Sequence, residues 1–230
     1  MVLTKEINSF LLNKGANIVG FADLRLLGTN FSENFNFGIV IGLKYSKKAI
    51  LNNKNGNLNQ YYKEFNELNK RLDELATSCA DFLEDKGYSS SPQLRNQIKV
   101  DDNYSSKLPY KTLATLAGLG WIGKCGLLVT KDFGSAIRII IVLTNAKLDC
   151  GKPIETSSCP YTCNICKNIC PGNAISGRVW IKGIERDNFY NANSCSESAK
   201  MYANEKLGVN DTICGLCISN CPFTRKSLKY

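Results

Sequence analysis

Eight cysteines in the last third of the chain carry its clearest chemical signal. They form the run Cys159-x3-Cys163-x2-Cys166-x3-Cys170-Pro171, then Cys195, and then Cys214-x2-Cys217-x3-Cys221-Pro222. The ending C-x2-C-x3-C-P occurs twice, and it is the signature of ferredoxin-type ligand loops for [4Fe-4S] clusters. The spacing therefore predicts two [4Fe-4S] clusters and electron-transfer chemistry.

The ferredoxin pattern also predicts which thiols share a cluster, because the cysteine before the proline binds the other cluster. We call the two resulting groups the first set and the second set. The first set is Cys159, Cys163, Cys166 and Cys221, and the second set is Cys170, Cys195, Cys214 and Cys217. Each set contains four thiols, which is the number of ligands that one [4Fe-4S] cluster takes. The first gap is three residues where two are usual, so the loop that begins at Cys159 is longer than the pattern.

Zinc sites and redox-active thiol pairs are the two alternatives to clusters. Zinc sites also use C-x2-C pairs and four thiolates, but the doubled Cys-Pro ending has no role in a zinc ribbon. Redox-active C-x2-C pairs on a thioredoxin fold are disfavoured, since both pairs lie among further thiols. A zinc-stapled binding module stays as the distant alternative.

Composition narrows the class of protein further. The chain has 230 residues, 43% of them hydrophobic, which suffices for one large domain or a medium and a small one. It has eleven cysteines, and disulfides are rare in the cytoplasm, so metal binding is the expected use of the thiols. No apolar run is long enough to span a membrane and no signal peptide is evident, so we expect a cytoplasmic protein without membrane contact.

The chain contains no histidine and has a formal charge of +9. Histidine is thereby excluded as a general base and as a metal ligand, and proton chemistry must use Asp, Glu, Tyr, Lys or Cys. The positive balance suits an acidic partner or nucleic acid without demanding either.

Hydrophobic periodicity predicts the elements that must position these residues. Helices are expected at 4–14, with Thr4 as N-cap, at 61–86 and at 111–116, and strands at 17–21, 38–43, 127–130 and 136–144. Residues 52–59, rich in Asn and Gly, are expected to form a loop. This alternation predicts an α/β-layered module over 1–148 in an α+β protein, followed by a cysteine-rich domain over 149–230.

Glycines cluster at 118, 120, 123 and 126, between a predicted helix and a predicted strand. The run lacks the G-x4-G-K-[ST] pattern of a phosphate loop, which argues against nucleoside triphosphate binding. Glycine permits close backbone approach, either to a flat cofactor or to the chain itself. The roles of Cys79, Cys125 and Cys150 stay open, with a buried small hydrophobe as the expectation for Cys79.

Several runs together resemble the epoxyqueuosine reductase family, most closely its short members. They are the stretch from Leu108 to Lys124, the segments 127–130, 133–134 and 142–144, the C-terminal segments 186–190, 194–195 and 213–222, and the opening 15–23. The resemblance covers nearly the whole chain. It implies a cobalamin held by the N-terminal α/β module beside a bacterial-ferredoxin-like domain with two [4Fe-4S] clusters, a plan that reductive dehalogenases share.

The resemblance further implies a reductase that takes electrons from a donor such as ferredoxin or flavodoxin. Its substrate would be a small molecule or a modified nucleoside. Because the sequence ends at Tyr230, without the helical-repeat region with which the full enzymes help to hold tRNA, tRNA is a doubtful substrate. The alternative is a non-catalytic two-cluster electron carrier with a docking domain and no cobalamin.

The resemblance also suggests site residues outside the cysteines. Asp101 matches the family's acid by neighbourhood only and is a proton donor, its pKa raised by burial, or a turn residue. Tyr110 stands where short members often have histidine, and it either donates a hydrogen bond to substrate or corrin or packs at a helix start. The expected cofactor contacts are Gly118, Gly120, Trp121, Gly123 and Lys124, with Trp121 alternatively a core residue.

Overall fold

The computed structural model describes residues 2–28, 34–97, 101–102, 104, 106 and 108–228. Two compact units are interleaved along the chain. The sheet unit comprises Met1–Lys44, Leu68–Leu119 and Arg138–Ile154, and the cysteine unit comprises Tyr45–Glu67, Gly120–Ile137 and Glu155–Tyr230. The division into cofactor-binding domains at 1–148 and 149–230 stays a prediction.

The described residues form helices and strands in mixed order, so the chain is an α+β protein, as predicted. The helices are α1 Val2–Asn13, α2 Lys47–Lys54, α3 Asn59–Glu84, α4 Tyr110–Leu116, α5 Ile165–Asn168, α6 Ala192–Leu207, α7 Leu216–Ser219 and α8 Pro222–Ser227. Short 3-10 turns occupy Leu24–Leu27, Arg95–Gln97 and Arg186–Asn188. The strands are β1 Ile18–Asp23, β2 Phe37–Lys44, β3 Ser90–Pro92, β4 Trp121–Ile122, β5 Leu128–Val129 and β6 Ile137–Thr144.

Four strands form one sheet in the order β1-β2-β6-β3. β1 and β2 are antiparallel, with Ile18 opposite Gly42, and β3 is antiparallel to β6, with Ser90 opposite Thr144. β4 and β5 form a separate two-stranded hairpin in which Trp121 lies opposite Val129. β2 is buried along all but its last residue, which fits the continuous apolar run in its sequence.

The core of the sheet unit is built by the apolar faces of α1 and α3 and by the strands. Leu72, Leu75, Cys79 and Leu83 recur at three- and four-residue spacing along α3, and all of them are buried in this core. Burial raises the pKa of the Cys79 thiol to about 12, so Cys79 behaves as a small core hydrophobe.

Three local expectations are wrong or incomplete. Thr4 does not cap α1 but lies inside it, where its buried Oγ1 accepts a hydrogen bond of 2.9 Å from the backbone N–H of Asp149. Part of the expected loop at 52–59 belongs to α2, whose N-cap Ser46 accepts a hydrogen bond from the Ala49 N–H. β3 was missed because Ser-Ser-Pro carries no apolar alternation.

Gly20 offers a test of the packing in the sheet unit, because a methyl group there would lie 2.7 Å from the side chain of Leu119. We expect Gly20→Ala to lower the free energy of unfolding by about 1–3 kcal/mol through overpacking. In a Leu119→Ala background the same change is expected to cost less, by at least about 0.5 kcal/mol. Urea denaturation of the two single variants and the double variant measures this coupling; additive effects would show that the two residues do not meet.

Candidate metal centre

All eight predicted ligand cysteines belong to the cysteine unit, and all eleven cysteines of the chain are free thiols. Cys166 lies in α5, Cys195 in α6 and Cys217 in α7, while Cys221 is the N-cap residue of α8. Cys221 is buried and the other seven are partly buried. Apart from Cys195, which lies on the longer helix α6, these thiols therefore stand on short helices and on the loops between them, as in ferredoxin-type motifs.

The Cys214 thiol has two other members of the second set as electrostatic neighbours. Burial raises the pKa of Cys214 to about 11, and the nearby thiols of Cys195 and Cys170 shift it in the same direction. The backbone N–H of Ala174 also donates a hydrogen bond of 3.4 Å to the Cys170 Sγ. Hydrogen bonds to sulfur of this kind tune the reduction potential of iron–sulfur clusters.

In the first set, the thiol of Cys221 has Cys159 as an electrostatic neighbour. Burial raises the pKa of Cys221, and Cys159 adds to this shift although the two residues come from different motifs. Each of these neighbouring pairs falls within one predicted set of four. The assignment of the ligands to the two sets stays a prediction.

A ninth thiol, Cys125, lies next to one member of each set. Its side chain is buried and is hydrogen-bonded with Cys166 and with Cys217. The hydrogen bond with Cys166 lowers the pKa of Cys125, whereas the one with Cys217 and burial raise it, and the net shift is strongly upward. In the sequence, only the position of Cys125 directly after Lys124 and the glycine run hinted at a cofactor-facing role.

Lys124 reaches the loop between the first two cysteines. Its side chain is buried, and its Nζ donates hydrogen bonds of 2.9 Å each to the backbone carbonyls of Tyr161 and Cys163. The sequence pointed to Lys124 as a cofactor contact, and the structure gives it two acceptors in the first cysteine loop. Nothing in the local sequence signals these acceptors.

The glycines at positions 118, 120 and 123 lie close to other residues of the chain. Gly118 has a positive φ of 71°, and a Cβ there would lie 2.8 Å from the Lys152 carbonyl oxygen. A Cβ at Gly120 would collide with the backbone of Val129, and one at Gly123 would lie 2.8 Å from the Val129 side chain. Close backbone approach thus explains these glycines without a ligand. Their role as cofactor contacts stays a prediction.

Trp121 is buried and its ring meets the ring of Phe223 edge-on, with 5.0 Å between centroids. Phe223 follows the predicted ligand Cys221 by two residues. Among the described residues the buried indole Nε1 has no hydrogen-bond partner. A buried donor without a partner is costly, so this N–H is suited to donate to a group bound beside it.

Asp101 and Tyr110 belong to the sheet unit. Asp101 is exposed rather than buried, and its carbonyl oxygen accepts a hydrogen bond of 2.9 Å from the Tyr104 N–H, as in a turn. Residues 98–100, next to it, lie outside the described residues. Tyr110 is the first residue of α4, and its hydroxyl donates a hydrogen bond of 2.7 Å to the Gln93 carbonyl. Burial raises the pKa of Tyr110, so its phenol acts as a donor and not as a base.

The residues present fit a pair of [4Fe-4S] clusters. Among the described residues, no three His, Cys, Asp or Glu side chains converge on a point that would hold one metal ion. A [4Fe-4S] cluster instead takes one thiolate at each of its four irons, so its ligands surround a cube. Eight free thiols in two sets and an N–H donated to a thiol sulfur are the groups that such clusters use.

The sequence of this chain is similar to those of two kinds of reductase. The chain is 33% identical over 120 residues to an epoxyqueuosine reductase of Atelocyanobacterium thalassa, covering 52% of this chain and 38% of the relative. It is 32% identical over 121 residues to a tetrachloroethene reductive dehalogenase of Sulfurospirillum multivorans, covering 50% of this chain and 23% of the relative. The resemblance to epoxyqueuosine reductases is confirmed. The chain spans well under half the length of either relative, and no protein-family model matches it.

Solved structures of both kinds share the fold of this chain. An epoxyqueuosine reductase in complex with an epoxyqueuosine-modified tRNA-Tyr stem loop superposes with a TM-score of 0.60 at 19% identity, covering 98% of this chain and 66% of that one. A reductive dehalogenase described as suggesting a mechanism for B12-dependent dehalogenation superposes with a TM-score of 0.61 at 16% identity, covering 95% and 31%. At these identities the likeness establishes the fold alone. No helix among the described residues is long and apolar enough to cross a membrane.

The hydrogen bond of Tyr110 can be tested by stability. We expect Tyr110→Phe to lower the free energy of unfolding by about 1 kcal/mol, because the hydroxyl donates to the Gln93 carbonyl. Tyr88→Phe is the matched control, because Tyr88 is exposed. Guanidinium denaturation followed by circular dichroism measures both. Equal stabilities of the two variants would contradict the hydrogen bond.

Proposed function

We propose that the chain is an iron–sulfur oxidoreductase in which two [4Fe-4S] clusters relay electrons to a cobalamin, at which a substrate is reduced. The observation that carries the proposal is the placement of eight free thiols in one compact unit, where Cys195 and Cys170 are electrostatic neighbours of Cys214, and Cys159 is one of Cys221. These neighbours cross the boundary between motifs as the ferredoxin pattern requires. In this proposal residues 1–148 are the cobalamin-domain-like module and residues 149–230 the ferredoxin-like domain.

The cysteine unit supplies the groups that bind and tune the clusters. The thiolates of both sets bind the irons, and the Ala174 N–H directed at Cys170 stabilises negative charge on a ligand sulfur. The buried indole N–H of Trp121, whose ring contacts that of Phe223, is available for the same purpose. Partial burial of the thiols keeps water from the ligands, which protects reduced clusters and shifts their potential.

Cobalamin binding is supported by the shared fold and by the B12-dependent reaction named for a structural neighbour. When bound, a cobalamin supplies a cobalt centre that passes electrons to an electrophilic substrate. Because the chain has no histidine, no imidazole of this chain would be available to hold a bound cobalamin. Asp101 is the proposed proton donor on the resemblance alone, because the burial that this role assumed is not found. Tyr110 is proposed as a site residue at the start of α4, where its single O–H is donated to the Gln93 carbonyl.

The proposed substrate is a reducible small molecule or a modified nucleoside, and the proposed electron donor is a ferredoxin or flavodoxin. The expectation against tRNA has no support from the comparisons, because one structural neighbour is bound to a tRNA stem loop. A modified nucleoside is therefore best assayed both free and within a stem loop. The absence of histidine leaves carboxyl, phenol, ammonium and thiol groups as the available proton donors.

The assignment of ligands to clusters predicts the behaviour of paired variants. Cys163→Ala with Cys221→Ala removes two ligands of the first set, so about four irons per chain should remain after anaerobic reconstitution. Cys163→Ala with Cys217→Ala damages both sets and should leave close to none. Iron and acid-labile sulfide assays with EPR of the reduced protein measure the difference.

Cys150→Ala is the control for these variants, because Cys150 lies in the sheet unit and in neither set. It should retain about eight irons per chain. Equal loss of iron from both paired variants would overturn the crossed assignment. Stoichiometric zinc and a colourless wild-type protein would instead identify the zinc alternative.

Cobalamin binding has its own test on protein with full iron content. Anaerobic titration with cob(II)alamin should perturb the cobalt EPR signal and the visible absorption until one equivalent is bound. The free-cobalamin spectra serve as the reference. Unchanged spectra on fully loaded protein would end the cobalamin proposal and leave a two-cluster electron carrier.

A further inference from the structure

Lys124 is a buried cation in an unusual setting. Its side chain is only 2% exposed, whereas lysine is almost never fully buried unless it is paired. Among the described residues, no carboxylate lies within ion-pair distance of its Nζ. The ammonium has two neutral acceptors, the carbonyls of Tyr161 and Cys163, each at 2.9 Å. Two carbonyls satisfy hydrogen bonds but do not neutralise a charge.

The acceptors of Lys124 identify the charge that would balance it. Tyr161 and Cys163 lie in the loop that begins at Cys159, the ligand loop with the extra residue. Four thiolates and an oxidised [4Fe-4S] core of about +2 give a net charge of about −2, which becomes about −3 on reduction. An ammonium bonded to the backbone of a ligand residue is therefore close to an anion whose charge grows when it accepts an electron.

We propose that Lys124 is the counter-charge of the first-set cluster: its buried ammonium fixes the first cysteine loop and raises the reduction potential of the cluster that this loop holds. The inference rests on the proposed function, because it presupposes the clusters. It assigns Lys124 as a positioning residue, since it acts through the loop carbonyls and its field rather than on a reacting atom. Its effect should exceed that of an exposed lysine, because charges interact more strongly where water is excluded.

The chain offers a matched control in Lys167. This residue follows the predicted ligand Cys166 in α5, and its side chain is exposed. Lys167→Met removes the same charge as Lys124→Met at a site close to the same set of ligands, but from a position where solvent and salt screen it. Lys124→Arg keeps the positive charge and the hydrogen-bond donors.

The experiment is EPR-monitored redox titration of the anaerobically reconstituted full-length chain in four forms, namely wild type, Lys124→Met, Lys124→Arg and Lys167→Met. Iron content is measured on each sample. We expect Lys124→Met to make reduction of one cluster about tenfold less favourable, a shift of about 59 mV to more negative potential for a one-electron couple. The other cluster should titrate as in wild type, and Lys124→Arg and Lys167→Met should remain close to wild type.

The outcomes distinguish a failure of the Lys124 inference from a failure of the proposed function. A wild-type chain without clusters would overturn the proposed function itself. A wild-type chain with two clusters, together with equal potentials in Lys124→Met and Lys167→Met, would overturn the role of Lys124. If Lys124→Met holds only one cluster, the result for Lys124→Arg decides between the two interpretations. Two clusters with wild-type potentials in Lys124→Arg would support the counter-charge role of Lys124. Loss of a cluster from Lys124→Arg as well would overturn that role.

Discussion

The hydrogen bonds from the Lys124 ammonium to the carbonyls of Tyr161 and Cys163 join segments that are 37 and 39 residues apart in sequence. This link matters because the cysteine loops have little regular structure of their own, with only four residues in each of α5 and α7. Loops without helical or sheet ladders need other partners for their backbone groups. In the cysteine unit such partners come from segments upstream of the cysteines.

The second cysteine motif is held in a similar way. The Asn53 Nδ2 donates a hydrogen bond of 3.2 Å to the Ser219 Oγ between Cys217 and Cys221, and the Ser135 N–H donates one of 3.0 Å to the Thr224 Oγ1 in α8. Asn53 and Thr224 are fully buried, so breaking either bond would leave a polar group without water. The compact unit that contains the thiols thus includes residues 45–67 and 120–137, because the loops depend on them.

The elements that the sequence predicts correctly are those with a regular pattern of apolar residues. The apolar spacing along α3 and the apolar runs of β2 and β6 were sufficient to predict those elements. Long-range partners were not predictable, since neither the acceptors of Lys124 nor the thiols beside Cys125 are local in sequence. The glycine run shows a different limit. A glycine indicates that something approaches its backbone, but not whether that is a cofactor or, as for Gly118 and Lys152, another part of the chain.

The shared fold does not select a substrate, because epoxyqueuosine reductases and reductive dehalogenases have different ones on the same architecture. What the two reactions have in common is the delivery of electrons, and under the proposed function the corresponding groups of this chain are the thiols of the cysteine unit. Under the proposed function, proton delivery differs with the substrate and is assigned to Asp101. The single O–H of Tyr110 is donated to the Gln93 carbonyl, so a substrate that needs a proton would take it from a carboxyl, ammonium or thiol group or from solvent. A substrate whose leaving group departs without protonation would need no proton donor. The pH dependence of turnover would therefore differ between the two kinds of substrate, and measuring it for both would distinguish them.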